Sequence, residues 1–208
     1  MRGSTTFPCQ LVKTATPVTA ATPQARMFST LTDKQRATAT GTLILLAYSM
    51  LTYTITGSKP LGVITDIASG LAVIGIPLLM WPIFRPHKAL NIAYMAARFA
   101  EGVLMIIGGI FILSPALEPY RNGIYEHIHI YFFITGALFF YALLYRTRAV
   151  PRFISVWGGL ATLALLLVTM IKLFGVQYAP LDALVIPLVL NEVFLAVWLM
   201  VKGFSETV

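Results

Sequence analysis

LNIAYMAARFAEGVLMIIGGIFIL, residues 90–113, is long enough to cross a bilayer, yet it carries Arg98 and Glu101 near its middle. At ~1.5 Å per residue the segment reaches ~36 Å, against a hydrocarbon core of ~30 Å. With ~100° between successive side chains, Asn91, Tyr94, Arg98, Glu101, Gly102 and Met105 share one face of a helix. Ala93, Ala96, Ala97 and Ala100 fall on the other, where small side chains let a neighbouring helix come close. A helix polar on one side and small on the other is expected to be enclosed by protein on both. The chain therefore reads as a multi-span membrane protein.

Working outward, five more apolar blocks flank this one, at 38–55, 63–84, 124–145, 153–174 and 181–201. The first has a Thr, Ser and Tyr flavour. The second contains Pro77, whose missing N–H is expected to kink it, and the last contains Pro187. Connections at 57–62, 85–89, 114–123, 146–152 and 175–180 are short, which favours antiparallel neighbours in a compact bundle. The expected architecture is an all-α membrane protein, a bundle of six transmembrane helices over residues 37–204. No internal repeat is evident.

Composition agrees with a lipid solvent. Hydrophobic residues make up 58% of the 208 and charged ones 11%, against about a quarter charged in a soluble domain. The net charge of +7 suggests nucleic acid until its positions are read. Arg26, Lys34, Arg36, Arg85, Lys88, Arg146, Arg148, Arg152 and Lys202 flank the blocks on one side, and Lys59, Arg121 and Lys172 on the other. That asymmetry is the positive-inside bias, and it places both termini in the cytoplasm or its organellar equivalent (N-in, C-in). The expected partner is the lipid bilayer, not nucleic acid. The single cysteine, Cys9, allows neither an intramolecular disulfide nor a thiolate metal site within one chain.

Residues 1–36 are rich in Ser, Thr, Pro and Ala, with no acidic residue before Asp33. Such a composition cannot build a packed core and is expected to be disordered. Its Arg content and lack of acids resemble an organellar transit peptide. An added leader, or a true start at Met27, explains it equally. The membrane is accordingly a bacterial inner membrane, or an organellar one if the tail is a transit peptide.

The segment FFYALLYRTRAVPRFISVWGG, residues 139–159, ends one helix in a Tyr-Arg pair and opens the next with Val-Pro-Arg. Together with ALNIAYMAARFAEGVL at 89–104 and NEVFLAVWLMVKGF at 191–204, it resembles the bacterial integral-membrane DUF4386 family. The resemblance runs over about residues 36–204 and implies six helices. It implies little chemistry, because the family's function is unknown.

A charge at mid-membrane costs ~2.5–3.5 kcal/mol on insertion scales, so each one needs a reason. Arg98 and Glu101 stand at i and i+3, close enough to pair within the helix. The pair either locks helices together or has Arg98 holding an anionic group while Glu101 moves a proton. Glu192, preceded by Asn191, lies at about the same depth in the last block. Burial and a nearby like charge both favour the protonated form of a carboxyl. One of Glu101 and Glu192 is thus expected to keep its proton, as a general acid or a proton-coupled site would. On the fourth block His127, Tyr131, Ile134, Leu138, Tyr141 and Tyr145 share a face, a stripe that either lines a cavity or anchors at the interfaces.

Glu101, Glu192 and Arg98 are therefore the candidate catalytic residues, with Tyr94, Asn191, His127, Tyr131 and Tyr141 as candidates for contacting a ligand. His127, His129 and Glu126, with Asp66 and Asp182 at the same level, carry donors suited to zinc or iron. His-x-His on a helix points its rings to opposite sides, so neither a metal nor a cofactor is expected. Gly108-Gly109 and Gly158-Gly159 read as packing glycines. Three function classes remain. One is an intramembrane enzyme acting on a lipid or isoprenoid by carboxylic-acid proton transfer, which is favoured. The others are a small proton-coupled transporter and a structural or assembly subunit. A hydrophobic small-molecule ligand and a homo-oligomer or larger complex are the further partners these classes imply.

Overall fold

The computed structural model of the protein describes residues 31–176 and 179–205. Most of the amino-terminal tail lies outside them. The first helix, α1 (Asp33–Ala47), begins inside the stretch expected to be tail. A capping box sets that start: Gln35 N donates to Thr32 Oγ1 at 3.3 Å and Thr32 N donates to Gln35 Oε1 at 2.9 Å. A 3₁₀ turn at Tyr48–Met50 leads to α2 (Leu51–Thr56), closed by Gly57 at φ 64°. The next helix, α3 (Lys59–Phe84), starts at Lys59-Pro60, earlier than expected, and its helical assignment runs on through Pro77 and Pro82. A 3₁₀ turn at Arg85–His87 separates it from α4 (Lys88–Phe111).

The fourth block differs most from expectation. Helix α5 (Glu118–Ile124) occupies what read as a loop, and a π turn at Tyr125–His129 joins it to α6 (Ile130–Thr147). Pro119 at the first turn suits a helix start, where its missing N–H costs nothing. Arg148, in the left-handed conformation, ends α6. Helix α7 (Arg152–Leu173) follows Pro151. A 3₁₀ segment (Ala179–Val185) precedes α8 (Ile186–Val201), so Pro187 sits in the first turn and not inside a longer helix.

Among the described residues the fold is all helical. Five helices are long and apolar enough to cross a membrane: Asp33–Thr56, Lys59–Phe111, Glu118–Thr147, Arg152–Leu173 and Ala183–Val201. The longest is folded on itself. A Cβ on Gly70 would lie 2.5 Å from Gly102 O, and one on Gly109 would lie 3.0 Å from Asp66 Cβ, so α3 and α4 run antiparallel, backbone against backbone. Around the bundle α1 touches α3, α3 touches α4, then α4–α6, α6–α7 and α7–α8, and α8 returns to α1. The last contact is close too, since a Cβ on Gly41 would lie 2.5 Å from Ala196 O. Large apolar side chains such as Ile64, Leu71, Leu113, Leu160, Leu167 and Val201 face outward, a surface suited to lipid and not to water.

The polar face of α4 is buried as expected, from Asn91 through Met105. Its alanine face is not enclosed: Ala97 is buried, but Ala93 and Ala100 are half-buried and Ala96 is exposed. Close approach occurs instead at Gly102, where even the methyl of alanine would not fit.

Candidate functional site

The ring of helices encloses a cavity of about 1050 Å³. Apolar side chains from α1, α3, α6, α7 and α8 form most of its wall, including Ile44, Val73, Phe140, Leu165 and Leu188. At its inner end lie Arg98, Glu101, His129, Tyr48 and Glu192. Exposed Glu126, His127 and Lys172 also line it, which marks its mouth at the end of the bundle where α7 finishes.

Arg98 Nη1 donates to Glu101 Oε1 at 3.1 Å and to Oε2 at 2.9 Å. The pairing expected from the i, i+3 spacing is present, with 6% and 2% of the two residues exposed. The guanidinium lies 5.9 Å from the Tyr94 ring centre and 5.6 Å from that of Phe133. Its Nε faces Gly136 on α6 and has no hydrogen-bond partner. His129 Nε2 stands 3.8 Å from Glu101 Oε1 and is otherwise unpartnered. Across the cavity the Tyr48 hydroxyl donates to Glu192 Oε2 at 2.6 Å.

The sequence candidates divide into two groups. Glu101, Glu192, Arg98, His127 and Tyr131 line the cavity. Tyr94, Tyr141 and Asn191 are buried beside it but do not line it. Tyr94 stacks on Phe140 with ring centres 5.4 Å apart and meets Phe84 edge-on at 5.9 Å. Asn191 Nδ2 donates to Ile154 O at 3.0 Å, tying α8 to α7. Tyr141 fills the notch at Gly158, which a Cβ would occupy. The paired glycines pack unequally, because Gly159 has only Tyr141 Cβ at 3.9 Å.

Spacing along the chain did not link two cavity residues to the carboxyls. Tyr48 meets Glu192 across 144 positions of chain. His129, the last residue of the π turn, stacks on Phe133 one turn later and so shares the α6 face that meets Arg98 and Glu101. The one local signal for His129 was its place in the His-x-His pair. His127 stays exposed, its Nδ1 3.2 Å from Gly123 O.

Asp66, grouped with the histidines by depth, is engaged elsewhere. Arg121 Nε and Nη2 donate to its two oxygens at 2.7 and 3.0 Å. The guanidinium is sandwiched between the rings of Tyr53 and Tyr125, at 4.8 and 4.6 Å. Tyr53 OH in turn donates to Glu118, which also accepts from Lys59 Nζ at 2.6 Å. Arg121 therefore belongs to a buried clamp and not to a solvated loop. Asp182 has its side chain outside the described residues. Among those described, no three His, Cys, Asp or Glu gather as a metal site would require.

With α5 to α8 in place, the comparisons with known proteins can be read onto the fold. Residues 120–203 match the model of DUF4386, a domain of unknown function. The match takes in Arg121, the π turn, α6, the Tyr-Arg and Val-Pro-Arg turn, α7 and α8. No curated protein and no solved structure matches the chain. The matched segment supplies Glu192, His129 and the residues of the cavity mouth, while the helices before it supply Tyr48, Arg98 and Glu101.

Proposed function

We propose that the protein is a six-span membrane protein whose cavity takes a hydrophobic small molecule, a lipid or isoprenoid, and exchanges a proton with it through Glu101 or Glu192. The observation that carries this reading is the placement of both carboxyls at the inner end of an apolar cavity of about 1050 Å³. Ligand pockets run to ~300–1,000 Å³, so the space is adequate for a drug-sized or larger molecule. Arg98 would hold Glu101 in place. His129, beside Glu101, and Tyr48, on Glu192, would orient the two acids.

A structural or assembly subunit is the second reading. It fits less well, because Glu192 receives a hydrogen bond on one oxygen and opens onto the cavity, whereas a charge that only joins helices should be tied on every side. A small proton-coupled transporter would use the same carboxyls with access from both sides. The mouth described above lies at one end of the bundle.

The six-span count is supported by length and packing. Fifty-three continuous helical residues would extend ~80 Å, far beyond a ~30 Å core. The antiparallel pair α3 and α4 divides that length into two crossings. For orientation, Ser205 N donates to Ala149 O at 2.9 Å, which brings the carboxy-terminal end to the turn that carries Arg146, Arg148 and Arg152. With α1 opening at Lys34 and Arg36, this supports both ends on the positive, cytoplasmic side. After Cys9 is replaced, Lys59→Cys or Gly123→Cys should react with an impermeant reagent from outside. Labelling of Arg85→Cys instead would invert the topology.

The function is tested by Glu192→Gln, which keeps shape and most hydrogen bonding while removing the acid proton. The variant should fold normally but fail to restore the lipid and isoprenoid profile of a knockout, since general acid catalysis supplies ~10²–10⁴-fold. Full complementation would remove the acid role and leave the structural subunit ahead.

A further inference from the structure

At the inner end of the cavity two carboxyls, Glu101 and Glu192, face one guanidinium, Arg98, and the His129 imidazole stands 3.8 Å from Glu101 and not at Glu192. Arg98 is committed to Glu101, whose two oxygens both accept from Nη1. Glu192 is left with the Tyr48 hydroxyl on Oε2, and Oε1 has no hydrogen-bond partner among the described residues. A carboxyl so placed in an apolar setting either keeps its proton or waits for a counterion.

We infer that the cavity takes a lipophilic cation, an ammonium head on an apolar chain, with Glu192 as its counterion. The inference rests on the ligand-binding reading above and narrows its ligand class. The walls fit such a head. Tyr48, whose hydroxyl meets Glu192, lines the cavity together with Phe140, and aromatic faces attract a desolvated cation. Arg98 opposes it little, because its charge is paired with Glu101 and its plane lies near the Tyr94 and Phe133 rings. An anionic head would meet two carboxyls, with the Arg98 guanidinium already engaged by Glu101.

The chemistry closes for a neutral amine as well. If Glu192 holds its proton, that proton passes from the carboxyl oxygen to the lone pair of the amine nitrogen. The O–H bond breaks, an N–H bond forms, and a carboxylate–ammonium pair remains at the end of the cavity with no other reactant needed. The same carboxylate, having given up a proton, is placed to stabilise any cation formed on the ligand there.

The test uses the full chain in nanodiscs of zwitterionic phosphatidylcholine, titrated calorimetrically against empty discs. Three probes share one chain: dodecyltrimethylammonium, whose charge cannot be removed, dodecanol and dodecanoate. The ammonium should bind at least about tenfold tighter than either other probe. Glu192→Gln should bring ammonium affinity down to that of dodecanol measured on the same variant. Equal or tighter binding of dodecanol or dodecanoate to the unmodified chain would overturn the cation while leaving the cavity a ligand site. A preference that survives Glu192→Gln would overturn Glu192 as the counterion. Binding of none of the three would defeat the ligand-binding reading itself. Should Glu192→Gln not fold, the three affinities of the unmodified chain still decide.

Discussion

Two buried arginine–carboxylate pairs stand in the same bundle and are built differently. Arg121 reaches Asp66 on another helix, 55 positions away, with a two-pronged grip at 2.7 and 3.0 Å. Its remaining groups are occupied by Asn122 and Met50 O, and Tyr53 and Tyr125 close both faces. Arg98 grips Glu101 three positions along its own helix, through a single nitrogen, and leaves Nε without a partner. Neither Asp66 nor Arg121 lines the cavity, whereas Arg98 and Glu101 both do. The first pair joins α5 to α3 and has its hydrogen-bonding capacity largely used. The second makes its ion contact within α4, packs on α6 through Phe133 and Gly136, and lines the cavity. In a membrane, where unpaired charge is costly, an ion pair within one helix has a weaker structural reason to be there than one that spans two.

Denaturation of variants at each pair separates what the two contribute. Arg121→Met should cost the most, ~3–5 kcal/mol, because it strands Asp66 without water. Asp66→Leu combined with Arg121→Met should recover most of that loss in denaturation of the solubilised protein. Equal losses in the single and double variants would show that the two residues do not act as a pair. Arg98→Met should cost less, ~2–3 kcal/mol for hydrogen bonds to a charged group, since water in the cavity can reach the carboxylate it leaves. A loss as large as that of Arg121→Met would erase the distinction between clamp and cavity.

The smallest of the three effects tests the wall behind Glu192. Gly158→Ala should cost ~1–3 kcal/mol by overpacking, because the added methyl meets the Tyr141 ring and comes 2.5 Å from Asn191 Oδ1. Dodecanol binding should be unchanged if Tyr141 and Asn191 serve packing, as their absence from the cavity lining indicates. A change in binding without a change in stability would return them to the ligand site.

The chain by itself determined the membrane character, the polar face of α4 and the Arg98–Glu101 pair. Apolar block length and i, i+3 spacing are local quantities, and lipid leaves helices few alternatives to internal hydrogen bonding. Sequence also put Glu101 and Glu192 inside apolar blocks, where the structure buries both. It misplaced the helix starts at Lys59 and Glu118, where a proline in the first turn extends a helix beyond its apolar run. What tertiary structure alone decided is which polar groups meet. Tyr48 faces Glu192 because α1 packs on α8 and closes the ring. Arg121 clamps Asp66 because α5 continues the fourth span downward as a helix instead of ending as a loop. His129, one turn before Phe133, shares the α6 face that packs on Arg98 and so stands 3.8 Å from Glu101, a meeting that no spacing along the chain specifies. Periodicity predicts a face only while the period holds, and contacts between distant segments depend on how the faces are brought together.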